Sequence, residues 1–220
     1  MKRLLLLSLA LLLSGCASGQ GKPKLPFDAW FVGLLAPNYM EVWIESVDVI
    51  DRRGLAYEQV YQGISAIQTP PNNQGKPAGW PKRVGGGKGK NLPGIDLPEI
   101  IFVRWQSLVE PQTYNVRINV PEWARKAMVT KEQPVCPWKG DWGKEVLTGY
   151  RDVITIGLAP GGIAKVWLQG ACLEPIEIGR FEGVISKVGP YGGTSGDKHR
   201  PLSETSKAYI EAHGVPYGSW

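Results

Sequence analysis

Tyr114, Val116, Ile118 and Val120 alternate without a break with Asn115, Arg117 and Asn119. Side chains on an extended strand point to opposite faces with a period of two, so this segment has one buried face and one wet face. Similar segments recur along the chain and limit it to a layered β architecture. Residues 100–106 form a strongly apolar strand, and residues 107–113 join it to the alternating segment as a long hairpin. Residues 27–35 read as the first strand. From residue 40 to 50 the apolar face runs through Met40, Val42 and Ile44, then switches to Val47 and Val49. Such a change of parity predicts a bulge near Glu45-Ser46. Residues 152–158 and 163–168 flank Ala159-Pro160-Gly161-Gly162, a strong turn signal. Residues 175–178 and 181–188 supply further strands, while 55–67 fits a strand or a short helix equally. Pro121 opens a short helix through Met128. Ser203 caps a last one that ends at Gly214, with Pro216 beyond it. The fold class is therefore mainly β, an antiparallel β-sandwich or a strongly curved sheet with one or two short helices.

The first sixteen residues have a different logic. Lys2 and Arg3 precede an apolar run from Leu4 to Leu13, and Leu13-Ser14-Gly15-Cys16 closes it. A basic end, a short apolar core and small residues before a cut are the three parts of a secretory signal. Ten leucine-rich residues are too few to cross a bilayer, which needs roughly 20. Leu-Ser-Gly-Cys resembles the lipobox of bacterial lipoproteins. The resemblance implies that residues 1–15 are removed and that Cys16 carries a diacylglycerol and an amide-linked acyl chain. Each buried methylene contributes about 0.8 kcal/mol to membrane binding, so such an anchor is effectively permanent. Ala17 and Ser18 follow where an Asp tends to retain enterobacterial lipoproteins in the inner membrane, so the resemblance implies the periplasmic face of the outer membrane. Residues 16–24 form the lipidated end and a short tether, and 25–220 a single periplasmic domain.

Removing the leader takes the formal charge from +5 to +3, because Lys2 and Arg3 leave with it. A weakly basic envelope protein has no routine access to nucleic acid, and that partner is excluded. Of three cysteines, lipidation leaves Cys136 and Cys172, an even pair that an oxidising compartment most simply joins as a disulfide. Two cysteines are too few for a zinc site, and His199 and His213 lie in no ligand spacing with them. No metal or cofactor is expected.

Residues 69–98 are rich in Gly, Pro, Asn and Lys, and no acid occurs between Glu58 and Asp96. A loop this long inside a compact domain is commonly functional or disordered. Read as a basic arm toward an acidic partner or anionic head groups, it offers Trp80, Lys82, Arg83, Lys88 and Lys90 as contacts. Gly85-Gly86-Gly87-Lys88-Gly89-Lys90 is no phosphate loop, because Asn91 follows where Ser or Thr is required. Ser195, Asp197 and His199 have the composition of a triad without its geometry. Asp141, Glu145, Asp152, Glu174 and Glu177 are scattered carboxylates of the kind any chain of this size carries. Of nine tryptophans, Trp43, Trp105, Trp123 and Trp167 lie in apolar segments and are expected in the core. Trp138 and Trp142 sit in a polar, turn-rich stretch that suits either packing on the disulfide or an exposed interface.

Several segments together carry a wider resemblance. They are Ile101-Phe102-Val103-Arg104-Trp105-Gln106-Ser107-Leu108, Tyr114, Val120-Pro121-Glu122, and Gly157-Leu158-Ala159-Pro160-Gly161-Gly162 through Trp167 to Glu177. With the lipobox, they resemble an uncharacterised family of proteobacterial lipoproteins known as a domain of unknown function. Members of that family are often encoded beside lipase effectors of type VI secretion. The resemblance implies an immunity role, in which a periplasmic lipoprotein binds a toxin before it attacks the producer's membranes. The expected function is thus a non-enzymatic, membrane-anchored binding protein that neutralises a phospholipase-like toxin by occlusion. The alternative is a structural or assembly lipoprotein contacting peptidoglycan or another outer-membrane protein.

Overall fold

The computed structural model describes residues 21–67, 75–134, 136 and 149–220. Cys16, Trp138, Trp142, Asp141, Glu145 and the first part of the 69–98 segment lie outside them. Among the described residues, eleven strands form two sheets. Sheet A runs β10 (Ile176–Glu182), β9 (Ile163–Gln169), β8 (Val153–Ala159) and β1 (Ala29–Ala36). The far edge of β1 is shared by β5 (Lys88–Pro93) and the two-residue β4 (Ala66–Ile67). Sheet B runs β11 (Val184–Ile185), β7 (Gln112–Asn119), β6 (Pro98–Ser107), β2 (Val42–Asp51) and β3 (Ala56–Ile64).

Alternating residues from both sheets meet in one core, with Trp30, Val32 and Leu34 of β1 facing Ile101, Val103 and Trp105 of β6. The expected sandwich is present, but it is not wholly antiparallel. β1 pairs in parallel with β8, from Phe31 opposite Val153 to Leu35 opposite Gly157, and with β4. A parallel pair needs a long crossover, and here four of the five strands of sheet B, β2, β3, β6 and β7, lie between β1 and β8 in sequence. Residues 55–67, which fitted strand or helix, are strand β3 and the short β4.

The bulge in β2 falls at Glu45. Pairing with β6 steps from Ile44–Trp105 to Ser46–Arg104, and pairing with β3 from Ile44–Gly63 to Val47–Tyr61. The extra residue restores Val47 and Val49 to the core and turns Glu45 to the outer face of sheet B. There the buried carboxylate accepts hydrogen bonds from Gln106 Nε2 and from the Tyr191 backbone N–H.

The stretch expected as one strand over 181–188 changes sheets instead. β10 ends at Glu182 in sheet A and β11 begins at Val184 in sheet B, so the chain turns the corner of the sandwich at Gly183. A Cβ there would meet the Trp105 ring at 2.7 Å and two backbone oxygens at 3.0 Å, which only glycine avoids.

Helix α1 (Glu122–Val129) follows Pro121, which occupies the capping position just before the helix. Helix α2 (Glu204–His213) has Ser203 accepting from the Ser206 N–H and ends at Gly214, whose φ is 73°. Trp105 and Trp167 are buried as expected, whereas Trp123 is 45% exposed on α1 and Trp43 points to the outer face of sheet B. Both occupy outward positions of their elements, which local hydrophobicity does not report. Cys136 and Cys172, with Cα atoms 4.9 Å apart, form the disulfide.

Candidate functional site

The outward positions of sheet B form a continuous surface with side chains from four strands. Register places Ser46, Arg104, Asn115 and Val184 in one row across β2, β6, β7 and β11. The next row is Asp48, Phe102 and Arg117. Two cavities of about 390 Å³ and 290 Å³ share Ser46, Asp48, Phe102 and Arg104, so they are two arms of one groove. The first arm reaches Tyr57 and Gln59 on β3, and the second reaches Asn115, Ser186 and Val188 beside β11.

The floor is polar and unevenly satisfied. Asp48 accepts from the Gln59 N–H at 2.7 Å and from the Ser46 hydroxyl at 3.3 Å. Arg117 lies over the Phe102 ring at 5.8 Å and donates from Nε to Asn119 Oδ1 at 3.0 Å. Arg104 is different. Its side chain makes no hydrogen bond or ion pair with any described residue, and its Nε is sealed from solvent without an acceptor. A buried donor left unmade costs about 1–3 kcal/mol. At the β3 edge, burial and the neighbouring Asp51 charge raise the Tyr57 phenol above its ordinary pKa.

One end of this face is already covered by residues 186–200. The Arg200 N–H donates to Gln106 Oε1 at 2.7 Å, and the Arg200 guanidinium lies 4.4 Å from the centre of the Trp43 ring. His199 belongs to this strap: Nε2 lies 3.2 Å from Thr113 Oγ1, and Nδ1 lies 3.2 Å from the Asp197 carbonyl. Ser195 donates its hydroxyl to the Pro190 carbonyl at 3.1 Å. Ser195 and His199 thus hold the strap in place rather than facing one another. Beside the strap the apolar residues Val184 and Ile185 are 64% and 62% exposed. The groove offers donors, an aromatic platform and an uncompensated cation, which is chemistry for recognition.

The contacts anticipated on the basic segment lie on sheet A. Residues 88–93, expected within a loop, are strand β5, paired antiparallel along β1 from Ala29 opposite Pro93 to Leu34 opposite Lys88. Lys88 and Lys90 are exposed on this edge strand, where charge discourages pairing with another sheet. Lys82 is exposed too. Arg83 pairs with Glu174, and that contact holds the Glu174 carboxyl below its usual range. Trp80 is half-buried, its ring 5.3 Å from that of Trp167, and it packs on the outer face of sheet A with Leu35 and Val84. Glu177 pairs with Lys165 at 3.0 Å, and burial raises the Asp152 carboxyl.

The glycine run has a packing role. A Cβ on Gly33 would run into the Gly86 carbonyl, whose oxygen also accepts from Thr155 Oγ1 at 3.1 Å. A Cβ on Gly85 would meet nothing within 4 Å. Gly33→Ala is therefore expected to cost about 2 kcal/mol in chemical unfolding, while Gly85→Ala stays within about 0.5 kcal/mol. Equal effects would contradict this role.

Sequence reasoning missed Ser46, Asp48, Phe102, Arg104 and Asn115 as a group. The available signal was Arg104, a cation between Val103 and Trp105 in an otherwise apolar strand.

A family described as protein of unknown function (DUF2931) matches the chain over residues 17–218, and the chain belongs to that family. No curated protein and no solved structure matches it.

Proposed function

We propose that this member of a family of unknown function is a non-enzymatic binding module, held through Cys16 at the periplasmic face of the outer membrane. Its partner is a protein, and the class that the sequence resemblance favours is a secreted phospholipase-like toxin, neutralised by occlusion. The observation that carries the reading is the sheet B groove. An open polar floor with an unpartnered guanidinium, flanked in register by exposed Val184, has the mixed character of a protein interface.

The tether supports the same reading. Arg53 Nη1 donates to the Gly21 carbonyl at 3.1 Å, so the end of the tether lies against the β2–β3 turn. Cys16 is five residues earlier, a reach of at most about 18 Å. The groove begins at that same pole, beside Ile50 and Tyr57. A lipidated chain would hold the groove close to the bilayer that such a toxin attacks.

Cells that make the chain should survive a phospholipase of this class directed to their periplasm. Survival should fall when Cys16→Ala releases the anchor. Survival no better than that of cells lacking the chain would remove the toxin as partner and favour a structural envelope role, read by cosedimentation with purified cell-wall sacculi. The cations Lys82, Arg83, Lys88 and Lys90 define a second contact surface. Changing all four to Ser should weaken toxin binding and flatten its salt dependence, and unchanged affinity at low salt would remove that surface.

A further inference from the structure

We infer that the sheet B groove receives an extended, carboxylate-bearing segment of a protein partner, with the carboxylate seated on Arg104. The inference rests on the binding-module reading and names the chemistry of its ligand. Arg104 has no acceptor among the described residues, and its Nε is closed to water. Asp48, one row along on the neighbouring strand, is already engaged by Gln59 and Ser46. A guanidinium matches a carboxylate through parallel N–H donors, and because only Nε is sealed, an incoming carboxylate would pair with the terminal Nη groups on the groove side.

Charge is divided across the groove. Asp48 and, at the exposed rim, Glu58 lie on the β2–β3 side, whereas Arg104 and Arg117 lie on β6 and β7. An acidic side chain is therefore favoured toward β7 and β11. There Val184, next to Asn115 in register, offers an apolar surface to the residues that alternate with it. The chain itself shows that a main-chain segment can lie across this face. Residues 186–200 cross its other end as an irregular segment whose main-chain N–H groups, at Tyr191 and Arg200, meet Glu45 and Gln106. The uncovered half continues the same surface.

The test titrates the full chain, ¹⁵N-labelled in nonionic detergent, with a blocked heptapeptide alternating valine and glutamate, and with its glutamine counterpart. The amides of Ser46, Phe102 and Asn115 should shift with the glutamate peptide. Affinity should fall at least tenfold for the glutamine peptide, and to the same degree for Arg104→Met and Arg104→Gln. Both variants should unfold at the wild-type temperature or above it, because each removes an unpaired cation. Equal response to the two peptides, or no groove shifts at millimolar peptide, would overturn the inference. So would both variants unfolding well below wild type, which would make the guanidinium structural. A phospholipase that binds the chain without perturbing the groove amides would also overturn it, while leaving the binding-module reading intact. Glutamate-peptide binding in the groove without phospholipase binding would support it and exclude the toxin alone.

Discussion

Asp51→Ala is expected to remove about 4 kcal/mol from the unfolding free energy at neutral pH, the range found when one member of a buried charged pair is deleted. Asp51 is fully buried at the end of β2. Its carboxylate accepts from Arg53 Nε at 2.9 Å and Nη2 at 2.6 Å, and from the backbone N–H groups of Arg53, Leu55 and Asp96. Those bonds fix the β2–β3 turn, tie it to the Asp96 segment, and orient Arg53 toward the Gly21 carbonyl where the tether enters. Alanine leaves all of these donors to find other partners. The effect should also depend on pH. Burial by itself raises the carboxyl, but the Arg53 side-chain bond and the backbone N–H bonds outweigh it, and the group titrates below its ordinary 3.8. A carboxyl depressed in the folded state stabilises fully above the unfolded value and loses that contribution as pH falls through the folded one. Urea unfolding should therefore show a full gap between wild type and variant above about pH 4, narrowing below it. A gap that stays constant into strong acid would contradict this role for the carboxylate.

Replacing both Cys136 and Cys172 by Ser should cost a similar amount. The bond joins residues separated by 36 positions, and in the chain-entropy account, whose mechanism is disputed, a loop of that size is worth about 4 kcal/mol. For a domain of this length that corresponds to a fall in Tm of roughly 10 °C. The pair closes on the β9–β10 connection of sheet A, so the sheet B groove should keep its peptide response in the folded variant. Thermal unfolding with and without reductant gives the first result and the peptide titration the second. A variant with unchanged Tm would show that the disulfide is not a stabilising link.

How much of this was legible in the sequence depended on the range of the interaction. The β2 bulge was readable because a parity change between Ile44 and Val47 has a local cause. The last helix was readable because Ser203 and Gly214 act within one turn of its ends. Pairing partners were not. Nothing near Phe31 indicates that Val153 lies beside it in parallel. β5 escaped because Lys88, Gly89, Lys90 and Asn91 carry no apolar alternation. Its close approach to β1 depends on glycines fitting against backbone, which hydropathy does not register. The groove was hidden for a related reason. Its residues are outward positions on β2, β6 and β7, and each alone resembles ordinary solvated surface. Only the register that brings Ser46, Arg104 and Asn115 into one row makes them a site.

Titration calorimetry of the full chain in nonionic detergent against a purified secreted phospholipase of the proposed toxin class tests the central claim most directly. The account predicts one-to-one binding in the nanomolar range that silences the lipase, and at least tenfold weaker binding by Arg104→Glu. No heat of binding at tens of micromolar chain, with the toxin still active, would contradict it.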